Sequence, residues 1–181
     1  ECDLPWVMPS PNMPPLETAI VYPGMCLLEG TNLSEGRGTT RPFELFGAPF
    51  IDARKLADAL ERYDLPGVLL RPCVIEPTFH KFARQRCGAL QLHVTDRRAF
   101  HAYRTGIGVL VAVRSLWPDD FAWRTEPYEF RDDVPAIDLL TGTAGVRRAI
   151  DEGEDVDSVM RIACAGTKAY DAGRGSALLY E

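Results

Sequence analysis

The chain has 181 residues, 46% hydrophobic and 25% charged, the proportions of one ordinary globular domain with enough apolar material for a core. A formal net charge of −6 argues against a nucleic acid partner, although local arginines can still hold a small anion. No apolar run is long enough to span a bilayer, and the five cysteines form no CxxC pair and no zinc-like spacing with histidine, so no metal and no cofactor are expected.

The opening "ECDLPWVMPSPNMPP" has no initiator methionine and reads as mid-protein sequence, so a fragment is expected. Its prolines favour extended backbone. With Trp6, Val7 and Met8 among them, they predict an extended segment packed on a surface, with Asn12 held in a fixed direction. Leu16 to Val21 predicts a short helix stopped by Pro23-Gly24, and Met25 to Glu29 a short buried strand.

"FIDARKLADALERYDLPG" predicts a helix from about Asp52 to Tyr63, with Asp52 as N-cap and an apolar stripe of Leu56, Ala59, Leu60 and Tyr63. Val68 to Ile75 predicts a strand near an edge or a bulge, because Pro72 has no N–H for a ladder. "CGALQLHVTD" alternates Leu90, Leu92 and Val94 with Ala89, Gln91, His93 and Thr95, which predicts a half-buried strand. Asp96 then caps a predicted helix reaching Leu116, where His101 reads as surface.

Trp117 to Pro135 shows few periodic signals and predicts a surface wrap. Thr141-Gly142 reads as a helix N-terminus. Two short helices follow, about Thr143 to Glu152 with Gly153 as C-cap and about Val156 to Ala165, and the closing "SALLYE" predicts a last strand. Cys26, Cys73 and Cys164 sit among aliphatic residues and read as buried thiols. Strands and helices mix without regular βαβ alternation, which predicts an α+β domain: a single mixed sheet with helices packed on it.

The chemistry concentrates in "LLEGTNLSEGRGTTRPFE", Leu27 to Glu44. Gly30, Gly36 and Gly38 allow positive φ and close backbone approach. Glu29 and Glu35 can accept from sugar hydroxyls or act as acid and base. Arg37 and Arg41 offer forked donors for a carboxylate or phosphate. Asn32 and Thr40 add polar groups on the same stretch. No Walker lysine follows and the glycines do not match a dinucleotide fingerprint. The competing reading pairs Glu35 with Arg37 on a solvated loop. His93 is a further candidate, on the polar face of its strand beside Gln91, against a plain surface histidine. His80-Lys81 falls in a loop after Pro77-Thr78.

The block "PSPNMPPLETAIVYPGMCLLEGTNLSEGRGTTRPFELFGAPFID" resembles the NamZ family, exo-acting β-N-acetylmuramidases of bacterial cell-wall recycling. The later "CGALQLHVTD", "DLLTG" and "LLYE" resemble it in order and spacing. The resemblance implies that the chain is one domain, residues 1–181, matching the C-terminal half of a two-domain protein whose N-terminal Rossmann-like domain, with an acidic residue, is absent here. It implies a cleft between the halves that takes terminal N-acetylmuramic acid from peptidoglycan fragments, with the missing domain as partner and a periplasmic or extracellular location. Glu29 and Glu35 would then be catalytic. Asn12, Asn32, Arg37, Thr40, Arg41 and His93 would bind substrate, the arginines facing the lactyl carboxylate. The alternatives are a non-catalytic glycan-binding or scaffold domain and, more remotely, a phosphate-binding enzyme using Gly36, Arg37 and Gly38.

Overall fold

The computed structural model describes residues 4–179. Its elements run α1 (Leu16–Met25), a 3-10 helix (Cys26–Gly30), β1 (Leu45–Ala48), α2 (Ala53–Leu60), β2 (Val68–Ile75), β3 (Cys87–Val94), α3 (Ala102–Leu116), α4 (Ala136–Thr141), α5 (Ala144–Asp151), α6 (Val156–Ala163), α7 (Thr167–Arg174) and a 3-10 helix (Gly175–Ala177). The α+β class holds. The three strands form one sheet in the order β1-β3-β2, and both pairings are antiparallel, where a mixed sheet was expected.

The sheet's two faces follow from the pleat. Leu90 and Leu92 of β3 enter the main core with Leu56 and Leu60 of α2 and Ile107 and Leu110 of α3. Cys87 and Ala89 point the other way and, with Ile75, make a small satellite cluster. Farther along that second face the alternation turns polar at Gln91 and His93. Pro72 pairs with Leu90 on β2, an edge strand, which leaves its missing N–H free of any ladder demand. Asp52 caps α2 by accepting from the Arg54 and Lys55 amides at 2.9 and 3.0 Å.

Several boundaries differ from the sequence reading, each for a tertiary reason. Helix α1 runs through Pro23-Gly24, and Met25 to Glu29 is helical instead of a strand. The cause is α3: a Cβ on Gly24 would sit 1.8 Å from the Ala102 carbonyl oxygen, and one on Gly106 would sit 2.2 Å from that of Gly24. The glycines thus permit a close helix crossing there. Helix α3 starts at Ala102, not Arg97. Asp96 caps a separate turn through the Arg98 amide, and His101 is the N-cap, its Nδ1 accepting from the Arg104 amide at 3.1 Å.

Strand β1 and helices α4 and α7 carried no recognised sequence signal. Gly142 is the left-handed C-cap of α4, φ 73°, and Thr143 is the N-cap of α5, so Thr141-Gly142 is an end, not a start. The last-strand expectation fails where it is described, since Gly175–Ala177 is a 3-10 turn and Leu178 and Leu179 are exposed, while Tyr180 and Glu181 lie outside the described residues. Among the cysteines Cys87 is buried, Cys26 and Cys73 are half-buried, and Cys164 is exposed; Cys2 lies outside the described residues.

Candidate functional site

The loop after the first 3-10 helix is closed by paired backbone bonds. The Ser34 amide donates to the Gly47 carbonyl at 2.9 Å and the Gly47 amide returns to Ser34 at 3.0 Å. Gly36 and Gly38 turn the chain with φ of 78° and 83°, where a side chain would strain the backbone. A Cβ on Gly36 would also strike the Leu45 carbonyl, at 2.3 Å. The Gly38 carbonyl accepts from both the amide and the hydroxyl of Thr78, each at 2.9 Å. That anchor carries the next loop over the first one. His80, Phe82 and Arg84 there have positive φ although none is glycine. Such backbone is retained where the surroundings impose it, and it clusters at functional sites.

These loops assemble an ionic cluster. Glu35 is fully buried. Lys81 Nζ donates to its Oε2 at 3.0 Å, and Arg37 Nε and His80 Nδ1 stand 3.1 and 3.3 Å from its Oε1. Neither meets hydrogen-bond geometry, so Oε1 has no partner among the described residues. Arg37 also donates Nη2 to Glu29 Oε1 at 2.6 Å, so one guanidinium bridges both glutamates. Tyr128 donates its hydroxyl to Glu29 Oε2 at 2.8 Å.

The pKa shifts follow from burial set against charge. Burial works against the Arg37 charge, yet the hydrogen bond and charge of Glu29, with the charge of Glu35, outweigh it and raise the guanidinium's pKa. For Lys81 burial wins over Glu35 and the pKa falls below the ordinary lysine value. Burial, then the hydrogen bond and charge of Glu29, push the Tyr128 phenol up. Burial and Glu29 push the Cys26 thiol up to about 11, which makes it a poor nucleophile.

Asn12, Glu29, Glu35, Arg37, His80, Lys81 and Arg124 border a cavity of about 240 Å³. An adjoining cavity of about 490 Å³ shares His80, Lys81 and Arg124 and adds Asn32, Phe82 and Trp123. Thus Glu29, Glu35 and Arg37 meet at one cavity, and Asn12 borders it too.

The rest do not. Arg41 and His93 border a separate cavity of about 280 Å³ with Glu17, Glu44 and Arg97. There Arg41 Nη1 lies 3.3 Å from Glu44 Oε2, and Arg71 Nε donates to His93 Nε2 at 3.4 Å. His93 shares a face of β3 with Cys87 and Ala89, against which Phe82 packs, but lies near the other end of the strand. Thr40 is exposed and borders none of these three cavities. Asn32 reaches the larger cavity as a bracket: its Nδ2 donates to Asp120 O at 2.8 Å and its Oδ1 accepts from the Ala122 amide at 3.1 Å. The solvated-loop reading of Glu35 and Arg37 is half right, since they pair but Glu35 is buried.

Residues 20–180 match the family described as Exo-beta-N-acetylmuramidase NamZ, C-terminal. The chain belongs to that family. Over 157 residues it is 43% identical to the peptidoglycan beta-N-acetylmuramidase NamZ of Bacillus subtilis (strain 168), matching 87% of this chain and 36% of that protein. A solved DUF1343 family protein from Bacteroides fragilis NCTC 9343 is 26% identical with a TM-score of 0.84, over 98% of this chain and 46% of that one. A second from the same organism, 23% identical with a TM-score of 0.68, matches 96% of this chain and 44% of that one and shows the fold alone. The chain therefore spans less than half the length of each of these relatives.

The NamZ C-terminal chain draws part of its cluster from residues the sequence reading left aside. His80 and Lys81 were visible as a pair on a loop, but nothing in sequence joined them to Glu35. Arg124 and Tyr128 lie in the aperiodic stretch after α3, whose length without regular structure is itself a functional signal. Chemically, the cavity offers two carboxylates held by donors and a ring of cations, a setting suited to a polar ligand with both hydroxyls and a negative charge. Among the described residues, no group of three or more His, Cys, Asp or Glu side chains is placed to hold a metal ion.

Proposed function

We propose that this chain is one wall of the glycan cleft of an exo-β-N-acetylmuramidase, completed by an N-terminal Rossmann-like domain of the same parent protein. The substrate is the terminal N-acetylmuramic acid of peptidoglycan fragments, and the protein works in the periplasm or outside the cell. The observation that carries the reading is the pair Glu29 and Glu35, bridged by Arg37 at an open cavity, in a chain of the NamZ C-terminal family. Glycoside hydrolysis normally uses two carboxyl groups flanking the scissile bond. One of these two glutamates supplies the group from this side, and the facing domain supplies the other.

A second reading is favoured by the hydrogen bonding itself. Arg37 and Tyr128 engage Glu29, and Lys81 engages Glu35. Carboxylates so committed can serve as fixed sugar-hydroxyl acceptors in a glycan-binding wall without a catalytic group of its own.

Chromogenic β-glycosides of N-acetylmuramic acid and N-acetylglucosamine test both. The chain alone should release no chromophore above background, and the protein joined to its N-terminal domain should cleave the muramic substrate. Full activity from the chain alone would overturn the split site.

A further inference from the structure

Three cations border the cavity that holds Glu29 and Glu35: Arg37, Lys81 and Arg124. Their donors are not equally free. Lys81 has three N–H groups. Leu28 O, Leu33 O and Glu35 Oε2 accept from Nζ at 3.0, 2.9 and 3.0 Å, so the ammonium is saturated. Arg37 gives Nη2 to Glu29 and turns Nε to Glu35, and its guanidinium also lies 5.1 Å from the centre of the Phe43 ring.

Arg124 differs. Its Nη2 donates to Pro127 O at 2.8 Å, but its Nε is shielded from solvent and has no hydrogen-bond partner among the described residues. Glu126 Oε2 stands 3.9 Å away, beyond hydrogen-bond reach. The Arg124 side chain is 27% exposed, so a ligand can reach the guanidinium, while its shielded Nε donor is an unmet demand. Arg124 is also firmly placed: its backbone amide donates to Gly30 O at 2.9 Å, and its guanidinium lies 5.3 Å from the centre of the ring of Tyr128, the residue that holds Glu29. It borders both the 240 Å³ and the 490 Å³ cavities. In the smaller one, Glu35 Oε1 is buried and lies 3.1 and 3.3 Å from Arg37 Nε and His80 Nδ1 without hydrogen-bond geometry to either, so it still has acceptor capacity. A ligand that brings an anionic acceptor and a hydroxyl or amide donor meets both.

We propose that Arg124 holds the carboxylate of an acidic amino sugar in this cleft and so determines specificity for the acidic substituent, in place of Arg37 and Arg41. This rests on the glycan reading above. Glu35 Oε1 takes a hydroxyl or amide proton of the same sugar.

The test is ¹⁵N–¹H NMR of arginine Nε–Hε groups in the chain joined to the N-terminal domain proposed above, titrated with N-acetylmuramic acid and, separately, with N-acetylglucosamine, which lacks the carboxylate. N-acetylmuramic acid should shift the Arg124 Nε–Hε signal, and N-acetylglucosamine should perturb cleft residues without moving it. Arg124→Gln should weaken N-acetylmuramic acid binding by roughly tenfold or more, the scale of one lost charge-assisted hydrogen bond, and leave N-acetylglucosamine binding unchanged. Arg124→Lys, which keeps the charge but not the fork, should fall between. The proposal is overturned if Arg37 shifts instead, if both sugars bind alike with Arg124 unmoved, or if either variant weakens both sugars equally. Those outcomes leave the glycan wall standing. Absence of any shift in the cleft with either sugar would overturn both.

Discussion

Tyr128 and Glu29, 99 positions apart in sequence, meet through a 2.8 Å hydrogen bond from the phenol to the carboxylate. The bond ties the aperiodic stretch after α3 to the end of the first 3-10 helix. The Gly30 carbonyl, accepting from the Arg124 amide, reinforces the same junction. Tyr128→Phe removes one hydrogen bond to a partly buried carboxylate and should lower stability by about 1–2 kcal/mol. Urea denaturation checks this, and an unchanged midpoint would mean that water replaces the phenol without cost.

The Lys81–Glu35 pair should be strongly coupled. Lys81→Met leaves the buried carboxylate with only Arg37 and His80 beside it and strands the Leu28 and Leu33 carbonyls, and should cost about 1–3 kcal/mol. Glu35→Leu leaves the ammonium buried with only its two carbonyls and should also be costly. The double variant should lose less than the sum of the singles, because the one Lys81–Glu35 interaction is lost in each single variant and is removed only once in the double. Additive losses in a denaturation cycle would show that the two groups do not depend on each other.

Lys81 should titrate below 10.5, the unperturbed value from which burial lowers it against the opposing charge of Glu35. Between the folded-state value and 10.5 the unfolded chain then holds the proton more tightly than the folded one. This group's contribution to stability therefore rises with pH across that window. NMR titration of the Lys81 side chain measures it directly, and a midpoint at or above 10.5 would mean that Glu35 outweighs burial.

Two glycines separate packing from propensity. Gly106→Ala drives a Cβ to 2.2 Å from the Gly24 carbonyl oxygen, so backbone must shift, and the loss should be about 1–3 kcal/mol or more. Gly173→Ala, in α7, meets nothing within 4 Å and should stabilise by about 0.5–1 kcal/mol through helix propensity alone. Thermal denaturation of the two variants should therefore move in opposite directions.

Period and capping made β2, β3, α2, α5 and α6 legible, because each has an apolar alternation, an apolar stripe or a capping residue that acts locally. The run of α1 through Pro23-Gly24 was not legible, since its cause is contact with α3, about eighty residues away in sequence. The site divides in the same way. The density of polar groups from Glu29 to Arg37 pointed to a lined cavity, and Asn12, singled out separately for its proline-fixed direction, borders the same cavity. His93 and Arg41 were misplaced because alternation puts His93 on the polar face beside Gln91 but does not show which loops stand near that end of the strand. Arg124 and Tyr128 were missed because their relation to Glu29 exists only after the chain folds across 99 positions.

The central claim is that the cavity of Glu29 and Glu35, not the cavity of His93 and Arg41, faces the scissile bond. The most direct measurement is kcat and KM on a chromogenic β-N-acetylmuraminide, using the chain joined to the N-terminal domain proposed above and variants confirmed as folded. The split site predicts that Glu29→Gln or Glu35→Gln lowers kcat on the order of 10²–10⁴-fold. It predicts that His93→Ala and Arg41→Ala leave both constants nearly unchanged. Collapse of activity in His93→Ala or Arg41→Ala, with both glutamine variants fully active, would contradict it.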